Sequence, residues 1–391
     1  MLGALIVLGQ SYGDVVSAQI HVQSTPLGRA QVQRPVEEQA GERVPSHRAK
    51  LRATWELMLE SNANADAAPV ETLRPSFVAP RPGRSFGYDA AAGNTLVGAN
   101  DDLSVFAPAT LSQNFLAATL GQLGSLPPDP SGGAGPSQFI FAANGRIISF
   151  SRSGGTPDGV MNLSLNSFFT PVRNGASAFS PKVKYDRLAG RWFIIAATDA
   201  LPGRIVIASS NASTIAASTV WSFFAFDNSF TGTGCAIDSP TLGIDPFALY
   251  VGVIQFCDNG VTYAGTSGFV ARKTSVIDAA TPVITAFNNL TGTPTGAGPF
   301  APQGVDVDDL SGNGYFIGVD NATLGTLVLR RVSNPGGAPT ISGNLPVAVS
   351  STAQPINVRH LGNLNGANGY LDRGDDRLSG ASVTNLSLIH I

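Results

Sequence analysis

Residues 185–193 read YDRLAGRWF, and this stretch contains a tight turn followed by the start of a buried strand. Asp186 can accept hydrogen bonds from the backbone of its own turn, and Gly190 can adopt the left-handed conformation before the next strand. An apolar run over residues 192–197 follows without alternation, which indicates burial on both faces. The stretch therefore predicts a β-hairpin whose second strand lies inside stacked sheets.

Looser copies of this turn and strand occur twice more along the chain, at 239–253 and 308–317. The aromatic residue that opens each following strand moves from Trp192 to Tyr250 to Tyr315, in steps of 58 and 65 residues. A period of roughly 40 to 60 residues with about four strands per unit is typical of a β-propeller. We therefore predict an all-β propeller of about six or seven four-stranded blades, the last of which can be incomplete. A β-sandwich, single or in tandem, is the alternative.

Other segments support short strands joined by tight turns. Residues 139–141 and 146–150 flank Asn144-Gly145, a dipeptide that supplies the positive φ values of a hairpin turn. The runs 204–208 and 326–329 are apolar on both faces, as inner strands between stacked sheets must be. These segments agree with the hairpin at 185–193.

Composition excludes several classes of function. The chain has 391 residues, a net charge of −3 and 13% charged residues, with 44 Gly and 26 Pro. Only 24 residues are Lys or Arg, so no broad cationic surface is available for nucleic acid or an anionic membrane. The sequence indicates a folded, loop-rich protein that binds no nucleic acid.

The N-terminal part differs from the rest. Residues 2–8 are apolar but too short to span a bilayer, and Val16-Ser17-Ala18 resembles a cleavage site. We expect a signal peptide over 1–18, a flexible pro-segment or linker over 19–82 with one helix near 47–61, and the propeller over 83–391. A buried N-terminal strand is the alternative for the apolar stretch. No later run is long and apolar enough to span a membrane.

The two cysteines, Cys235 and Cys257, lie 22 residues apart. In an exported chain, this pair is expected to form one disulfide, which would stabilise the fold by roughly 3 kcal/mol in the chain-entropy model. The sequence therefore predicts a secreted or cell-surface protein.

Three motifs resemble a loosely defined group of exported bacterial β-propeller proteins. PPDPSGGAGP at 127–136 is similar to their PPD-x-x-G-x-x-GP element. SPKVKYD with GRW, ending at Trp192, is similar to DP-x-x-x-YD-x-x-x-GRW, with Ser180 where the group usually has Asp. GDDRL at 374–378 is similar to GD-x-R-[LV]. The resemblance covers about 125–380 and implies the propeller architecture; the group has no single activity, so no catalytic residue is transferred.

The C-terminal residues 386–391, LSLIHI, resemble a translated sequencing adapter. The group's proteins usually continue through a further strand after the GD-x-R element. We therefore expect a truncated reading frame with an incomplete final blade.

Candidate catalytic groups are few. Glycoside hydrolysis needs two carboxylates, and no glutamate follows Glu71, so only aspartates can supply them. The candidate inward carboxylates are Asp186, Asp245, Asp306 and Asp320. Each adjoins turn residues, so turn capping is the competing interpretation. No serine or cysteine nucleophile is convincing, because His360 is the only histidine in the propeller segment apart from the one beside the C-terminus.

Calcium is the only cofactor that the sequence suggests. Asp306, Asp308 and Asp309 are close enough in sequence to give several oxygens to one hard cation. The segment lacks EF-hand spacing, and a plain acidic turn is the competing interpretation.

From the sequence we expect a monomeric, non-catalytic binding or surface module whose ligand is a glycan or another protein. The alternative is an aspartate-based polysaccharide hydrolase or lyase that acts at the propeller channel. Two or three aspartates grouped at the channel mouth would favour the enzyme, whereas isolated aspartates in turns would favour binding.

Overall fold

The computed structural model describes residues 18–21, 27–31, 114–125, 127–227, 235–258, 262–278, 281–310, 312–350, 352–353 and 375–383. The predicted signal peptide up to residue 17, the predicted helix at 47–61, His360 and the adapter-like residues 386–391 lie outside this part of the chain. No helix in the described part is long and apolar enough to cross a membrane.

Most of the described chain forms short strands. Two early strands, β1 (Ala18–His21) and β2 (Leu27–Gln31), and helix α1 (Leu120–Leu123) precede the first large sheet. Blade 1 is formed by β3 (Ser131–Ala134), β4 (Gln138–Ala143), β5 (Arg146–Ser151) and β6 (Pro157–Ser164). Helices α2 (Leu165–Phe168) and α3 (Thr170–Arg173) lead to blade 2, which is formed by β7 (Ala178–Asp186), β8 (Arg191–Thr198), β9 (Arg204–Ser210) and β10 (Val220–Asp227).

Blades 3 and 4 have the same meander with a split inner strand. Blade 3 is formed by β11 (Ala236–Asp238), β12 (Gly243–Ile244), β13 (Ala248–Cys257), β14 (Thr262–Arg272) and, after helix α4 (Lys273–Ile277), β15 (Val283–Phe287). Blade 4 begins with the two inner strands β16 (Phe300–Gly304) and β17 (Asp306–Val307). It continues through β18 (Asn313–Val319), β19 (Thr326–Ser333), β20 (Thr340–Ile341) and β21 (Leu345–Ala348). The last described strand is β22 (Ser382–Val383).

Strand pairing follows chain order within each blade. In blades 1 and 2, every strand pairs antiparallel with the next, and in blade 4 both β20 and β21 pair with β19. Strands β2 and β1 add a fifth antiparallel strand to the outer edges of blades 2 and 3, respectively. The segment expected to be a linker therefore contributes two strands, which the sequence interpretation did not include.

The blades pack face to face in chain order. Alternate residues of β8 point to opposite sides: Trp192 joins the core between blades 1 and 2, and Phe193 joins the core between blades 2 and 3. Tyr250 of β13 packs towards blade 4, while Leu249 packs towards blade 2. Each middle sheet therefore has a core on both faces. A sandwich with one shared core does not have this arrangement, so the sandwich alternative is wrong.

Contacts between blades that are not neighbours show that the sheets surround an axis. Lys184, on the inner strand of blade 2, pairs with Asp306 on the inner strand of blade 4. Asp306 also accepts a hydrogen bond from the backbone N–H of Ile244 in blade 3, at 3.0 Å. Inner strands of three consecutive blades therefore meet, which confirms the propeller. Four blades lie in the described part, and the total of six or seven remains a prediction.

The segment 375–383 lies beside the inner strand of blade 4. Ser382 and Val383 pair in parallel with Asp306 and Val307, and the backbone N–H of Asp306 donates to the carbonyl of Ala381 at 3.0 Å. Leu378 and Val383 cover the apolar face of blade 4. Because the inner strands of neighbouring blades run in the same direction, this segment occupies the position of the next inner strand.

The two cysteines form a disulfide, as the sequence predicts. Cys235 immediately precedes β11 and Cys257 ends β13, and these two strands are paired in antiparallel fashion. The bond therefore ties the beginning of the inner strand of blade 3 to its neighbour. No free cysteine occurs in the chain, whose only two cysteines are these.

Gly252 lets blades 3 and 4 approach closely, and its replacement by alanine should be strongly destabilising. A Cβ atom there would lie 1.7 Å from the backbone oxygen of Pro302. We expect Gly252→Ala to lower the free energy of unfolding by about 1 to 3 kcal/mol or more, measured by urea denaturation. Gly343→Ala is the matched control, because nothing lies within 4 Å of its Cβ position. Equal stability of both variants would contradict this packing.

Candidate functional site

The innermost part of each described blade contains the same unusual dipeptide, before the inner strand in blade 1 and within it in blades 2 to 4. The residue before a proline has a positive φ in all four blades: Asp129 (40°), Ser180 (50°), Ser239 (49°) and Ala301 (44°), which precede Pro130, Pro181, Pro240 and Pro302. We call these dipeptides the X-Pro corners. Residues other than glycine rarely adopt this conformation, so its recurrence at equivalent positions marks a common structural feature.

The corners interrupt the regular pairing of the inner strands. The register of β7 against β8 shifts between Phe179 and Lys182, and that of β16 against β18 shifts between Phe300 and Gln303. Such bulges re-aim side chains and are common beside functional sites. Because all inner strands run the same way, the corners gather at one end of the axis, which we call the channel mouth.

A buried hydrogen-bond network fixes Asp129 at the mouth. Its Oδ2 accepts from Ser180 Oγ at 2.9 Å and from Asn144 Nδ2 at 3.4 Å. Asn144 also donates from its side chain to the carbonyl of Pro127 at 2.6 Å, and accepts from the backbone N–H of Ser180 at 2.6 Å. Ser180 and Asn144 are each 1% exposed, so the network holds the loop of blade 1 rigidly against blade 2.

Two further aspartates lie around a guanidinium at the same end. Arg377 forms a two-pronged ion pair with Asp375, whose side chain is 2% exposed. Burial lowers the pKa of Arg377, but the hydrogen bonds and charge of Asp375, with the charges of Asp238 and Asp129, outweigh burial and raise it overall. Asp238 is itself buried and accepts a hydrogen bond from Ser239 Oγ at 3.2 Å. We call Asp129, Asp238, Asp375 and Arg377 the mouth cluster.

The mouth cluster has more negative than positive charge. The four side chains are three carboxylates and one guanidinium, which Asp375 engages directly and which Asp238 and Asp129 also influence by their charges. Carboxylate oxygens at the end of a channel can accept hydrogen bonds from sugar hydroxyls, and a pair of carboxylates can also perform acid–base chemistry.

The opposite end of the axis contains a small cleft of about 190 Å³. Two interblade ion pairs line it: Lys184 with Asp306, and Arg187 with Asp308. We call this the distal cleft. These two pairs form contacts between blades 2 and 4. Asp186, which pairs with buried Lys273, and Asp245 also line the cleft, so it brings together three of the four carboxylates predicted from the sequence.

The residues suggested for calcium lie at the distal cleft or next to it. Asp306 accepts from Lys184, and burial raises the pKa of Asp306 more than the charge of Lys184 lowers it. Asp308 pairs with Arg187, while Asp309 follows it in the chain. Among the described residues, no group of three or more His, Cys, Asp or Glu side chains is arranged to hold a metal ion. The calcium site remains a prediction from the sequence.

The other predicted carboxylates cap turns. Asp186 accepts from the backbone N–H groups of Leu188 and Ala189 at 2.9 and 3.1 Å, and Asp320 accepts from the backbone of Ala322 at 3.1 Å. Asp245 accepts from the backbone N–H groups of the two residues Phe247 and Ala248. These three aspartates therefore have the turn-capping role that the sequence analysis weighed against catalysis.

Asp245 should make stability depend on pH. Burial raises the pKa of this carboxyl, although the hydroxyl of Tyr250, at 2.5 Å, and the backbone donors oppose the increase. The pKa of Asp245 is higher in the folded than in the unfolded state. Its contribution to the free energy of unfolding is therefore complete below about pH 4 and is lost as the pH rises through the pKa of the folded state. We expect wild type to lose stability relative to Asp245→Asn over that range, as measured by urea unfolding at several pH values. A difference that is constant with pH would contradict this.

The sequence analysis did not select the residues of the mouth cluster. Asp129, Asp375 and Arg377 lie in motifs whose resemblance implies architecture alone, and Asp238 is not a candidate there. A usable signal is present in the sequence for two of the four residues: Asp129 and Asp238 lie at or directly before an X-Pro dipeptide of an inner strand.

The sequence matches no protein-family model and no curated protein. Among solved structures, the chain is similar to a subtype N10 neuraminidase-like protein of A/little yellow-shouldered bat/Guatemala, with 10% identity and a TM-score of 0.33 over 55% of this chain and 57% of that one. It is also similar to Penicillium chrysogenum α-L-arabinanase, with 14% identity and a TM-score of 0.36 over 58% and 68%.

A third similar structure is an exo-β-1,3-galactanase from Clostridium thermocellum, with 12% identity and a TM-score of 0.33 over 64% of this chain and 57% of that one. The chain therefore spans less than two thirds of the length of the neuraminidase-like protein and of the galactanase. With TM-scores below 0.5, these similarities carry no conclusion about the activity of this chain.

Proposed function

We propose that this protein is an exported, monomeric, aspartate-dependent hydrolase that cleaves a neutral polysaccharide at the channel mouth. The observation that carries the proposal is the grouping of Asp129, Asp238 and Asp375 around Arg377, where the inner strands begin. The disulfide supports an oxidising, extracellular location. The three sequence motifs support membership in the group of exported bacterial propellers.

Hydrolysis of a glycosidic bond needs one carboxyl group that protonates the leaving oxygen and a second that attacks or activates water. Asp375 forms the two-pronged pair with Arg377, and we assign the two roles to the other carboxylates of the mouth cluster, Asp129 and Asp238. Asp129 has donors from Ser180 and Asn144, which stabilise a negatively charged oxygen, and we assign it the nucleophile or base. Asp238 is then the acid.

The charge of the cluster limits the substrate. Three carboxylates against one guanidinium within the mouth cluster disfavour uronic acids and sulfated sugars at close range. A neutral polysaccharide carries hydroxyl donors for these oxygens without this repulsion. The protein's net charge of −3 acts in the same direction.

The test is incubation of the purified protein with arabinan, xylan, β-1,3-galactan and, as an anionic control, polygalacturonate. Arabinan and β-1,3-galactan are chosen for the names of the similar arabinanase and galactanase, and xylan is a third neutral polysaccharide. We expect release of reducing ends from at least one neutral polysaccharide and none from polygalacturonate. No release from any neutral polymer would overturn the hydrolase.

The second candidate is a non-catalytic module that binds a glycan or a protein. The hydrogen bonds that already occupy Asp129, together with the ion pair of Asp375, favour it, because bound carboxylates are less available for chemistry. Retarded migration of the protein in gels that contain one of the same polysaccharides, without product release, would support this candidate.

A further inference from the structure

We infer that Ser180 and Ser239 are positioning residues that hold the two reactive carboxylates, Asp129 and Asp238, in orientation. The kinetic part of this inference rests on the proposed function, whereas the geometric part does not. Both serines occupy X-Pro corners and both donate from Oγ to one aspartate of the mouth cluster. The corner would then be the repeat element that orients the site.

Ser180 connects two blades through Asp129. Its hydroxyl donates to Asp129 Oδ2 at 2.9 Å, and its backbone N–H donates to Asn144 Oδ1 at 2.6 Å. Asn144 in turn holds the loop before Asp129 through its backbone N–H, which donates to the carbonyl of Pro128 at 2.7 Å. Ser180 is 1% exposed, so water does not substitute easily for its hydroxyl. Ser180 therefore holds the carboxylate of Asp129 directly, and Asn144 holds the backbone just before Asp129.

Ser239 makes a more local contact in blade 3, to the residue that precedes it in the chain. Its hydroxyl donates to Asp238 Oδ2 at 3.2 Å, and Asp238 is buried. Of the four corners, only the two serines bring a hydroxyl to a mouth aspartate. Asp129 is itself a mouth aspartate, and Ala301 has no hydroxyl, which makes the Ala301 corner an internal control.

The two serine corners share their backbone conformation with the other corners, so only their hydroxyl contacts distinguish them. A left-handed residue other than glycine costs about 1 to 3 kcal/mol, and glycine would relieve this cost. Ser180 and Ser239 nevertheless keep side chains at φ values of 50° and 49°. Their side chains make the contacts with Asp129 and Asp238, and glycine would lose both.

The test replaces each serine by glycine, which removes the hydroxyl but suits the positive φ, so the variants should fold. Ala301→Gly makes the same backbone change at a corner without a hydroxyl and is the matched control. We expect Ser180→Gly and Ser239→Gly each to lower kcat by about 10-fold to 100-fold, with KM changed less than about 2-fold, because misorientation of a reacting group affects the chemical step. Ala301→Gly should leave both constants unchanged.

Crystal structures of the same variants give a readout that does not need activity. We expect the carboxylate of Asp129 to rotate in Ser180→Gly and that of Asp238 to rotate in Ser239→Gly, while neither moves in Ala301→Gly. Carboxylates that stay in place in both serine variants would overturn the positioning role, whether or not wild type cleaves a polysaccharide. Unchanged kcat in both variants of an active enzyme would overturn it as well. Absence of hydrolysis by wild type would overturn the proposed function alone.

Discussion

Replacing Lys273 by methionine should lower the free energy of unfolding by about 3 to 5 kcal/mol. Lys273 Nζ lies 2.5 Å from Asp186 Oδ2, and both side chains are 4% exposed. The pair links helix α4 of blade 3 to the end of the inner strand of blade 2. Methionine preserves most of the volume but leaves the Asp186 carboxylate buried without its cation, and this is the source of the loss.

Urea denaturation of Lys273→Met, Asp186→Asn and the double variant measures this effect. The free energy of unfolding of the double variant should fall by less than the sum of the decreases in the two single variants. In the double variant, neither partner is left charged and unpaired. Arg187→Met is the matched control: the Arg187–Asp308 pair also joins two blades, but its side chains are 73% and 50% exposed. We expect a loss below about 1 kcal/mol there. Similar decreases in the free energy of unfolding for Lys273→Met and Arg187→Met would contradict a stabilising role for the buried Lys273–Asp186 pair.

Replacing Asp238 by asparagine should reduce release of reducing ends by about 100-fold to 10,000-fold, the usual contribution of a general acid or base. Asparagine preserves the shape of the side chain and an acceptor for Ser239, but it cannot donate or take up the proton. Asp129→Asn should have an effect of similar size, because the two residues act in one reaction. The measurement is kcat/KM on the neutral polysaccharide that wild type cleaves.

Asp320→Asn is the control for this prediction. Asp320 was a candidate carboxylate in the sequence analysis, is 7% exposed and accepts one backbone hydrogen bond in its turn, a contact that asparagine also makes. We expect its kcat/KM to stay within about 2-fold of wild type. Full activity of Asp238→Asn and Asp129→Asn would exclude the mouth cluster as the reaction centre.

Local patterns predicted the local structure correctly. Asn144-Gly145 forms the tight turn between β4 and β5, although only Gly145, at φ 96°, has the positive φ that was expected of both residues. Asp186 and Gly190 form the turn before β8 as expected, because hydrogen bonds within a turn depend only on neighbouring residues. Continuous apolar runs also predicted burial on both faces of β8, since side-chain alternation reflects only the two faces of a strand.

The candidate site was harder to predict because its residues are distant in sequence. Asp129, Asp238 and Arg377 come from blade 1, blade 3 and the segment after blade 4, and only the curvature of the sheets around the axis brings them together. Asp186 and Asp245 attracted attention because their turns are conspicuous, whereas Ser180 and Ser239 look like ordinary loop residues. Their positive φ values depend on strand bulges that the sequence pattern alone does not specify.

The crystal structure of Asp238→Asn with a bound oligosaccharide from the polysaccharide that wild type cleaves or retains tests the account most directly. We expect a sugar ring at the channel mouth, within hydrogen-bond distance of Asp129 and of the side chain at position 238. A sugar bound in the distal cleft beside Lys184 and Asp306, or on the outer strands of the blades, would contradict it.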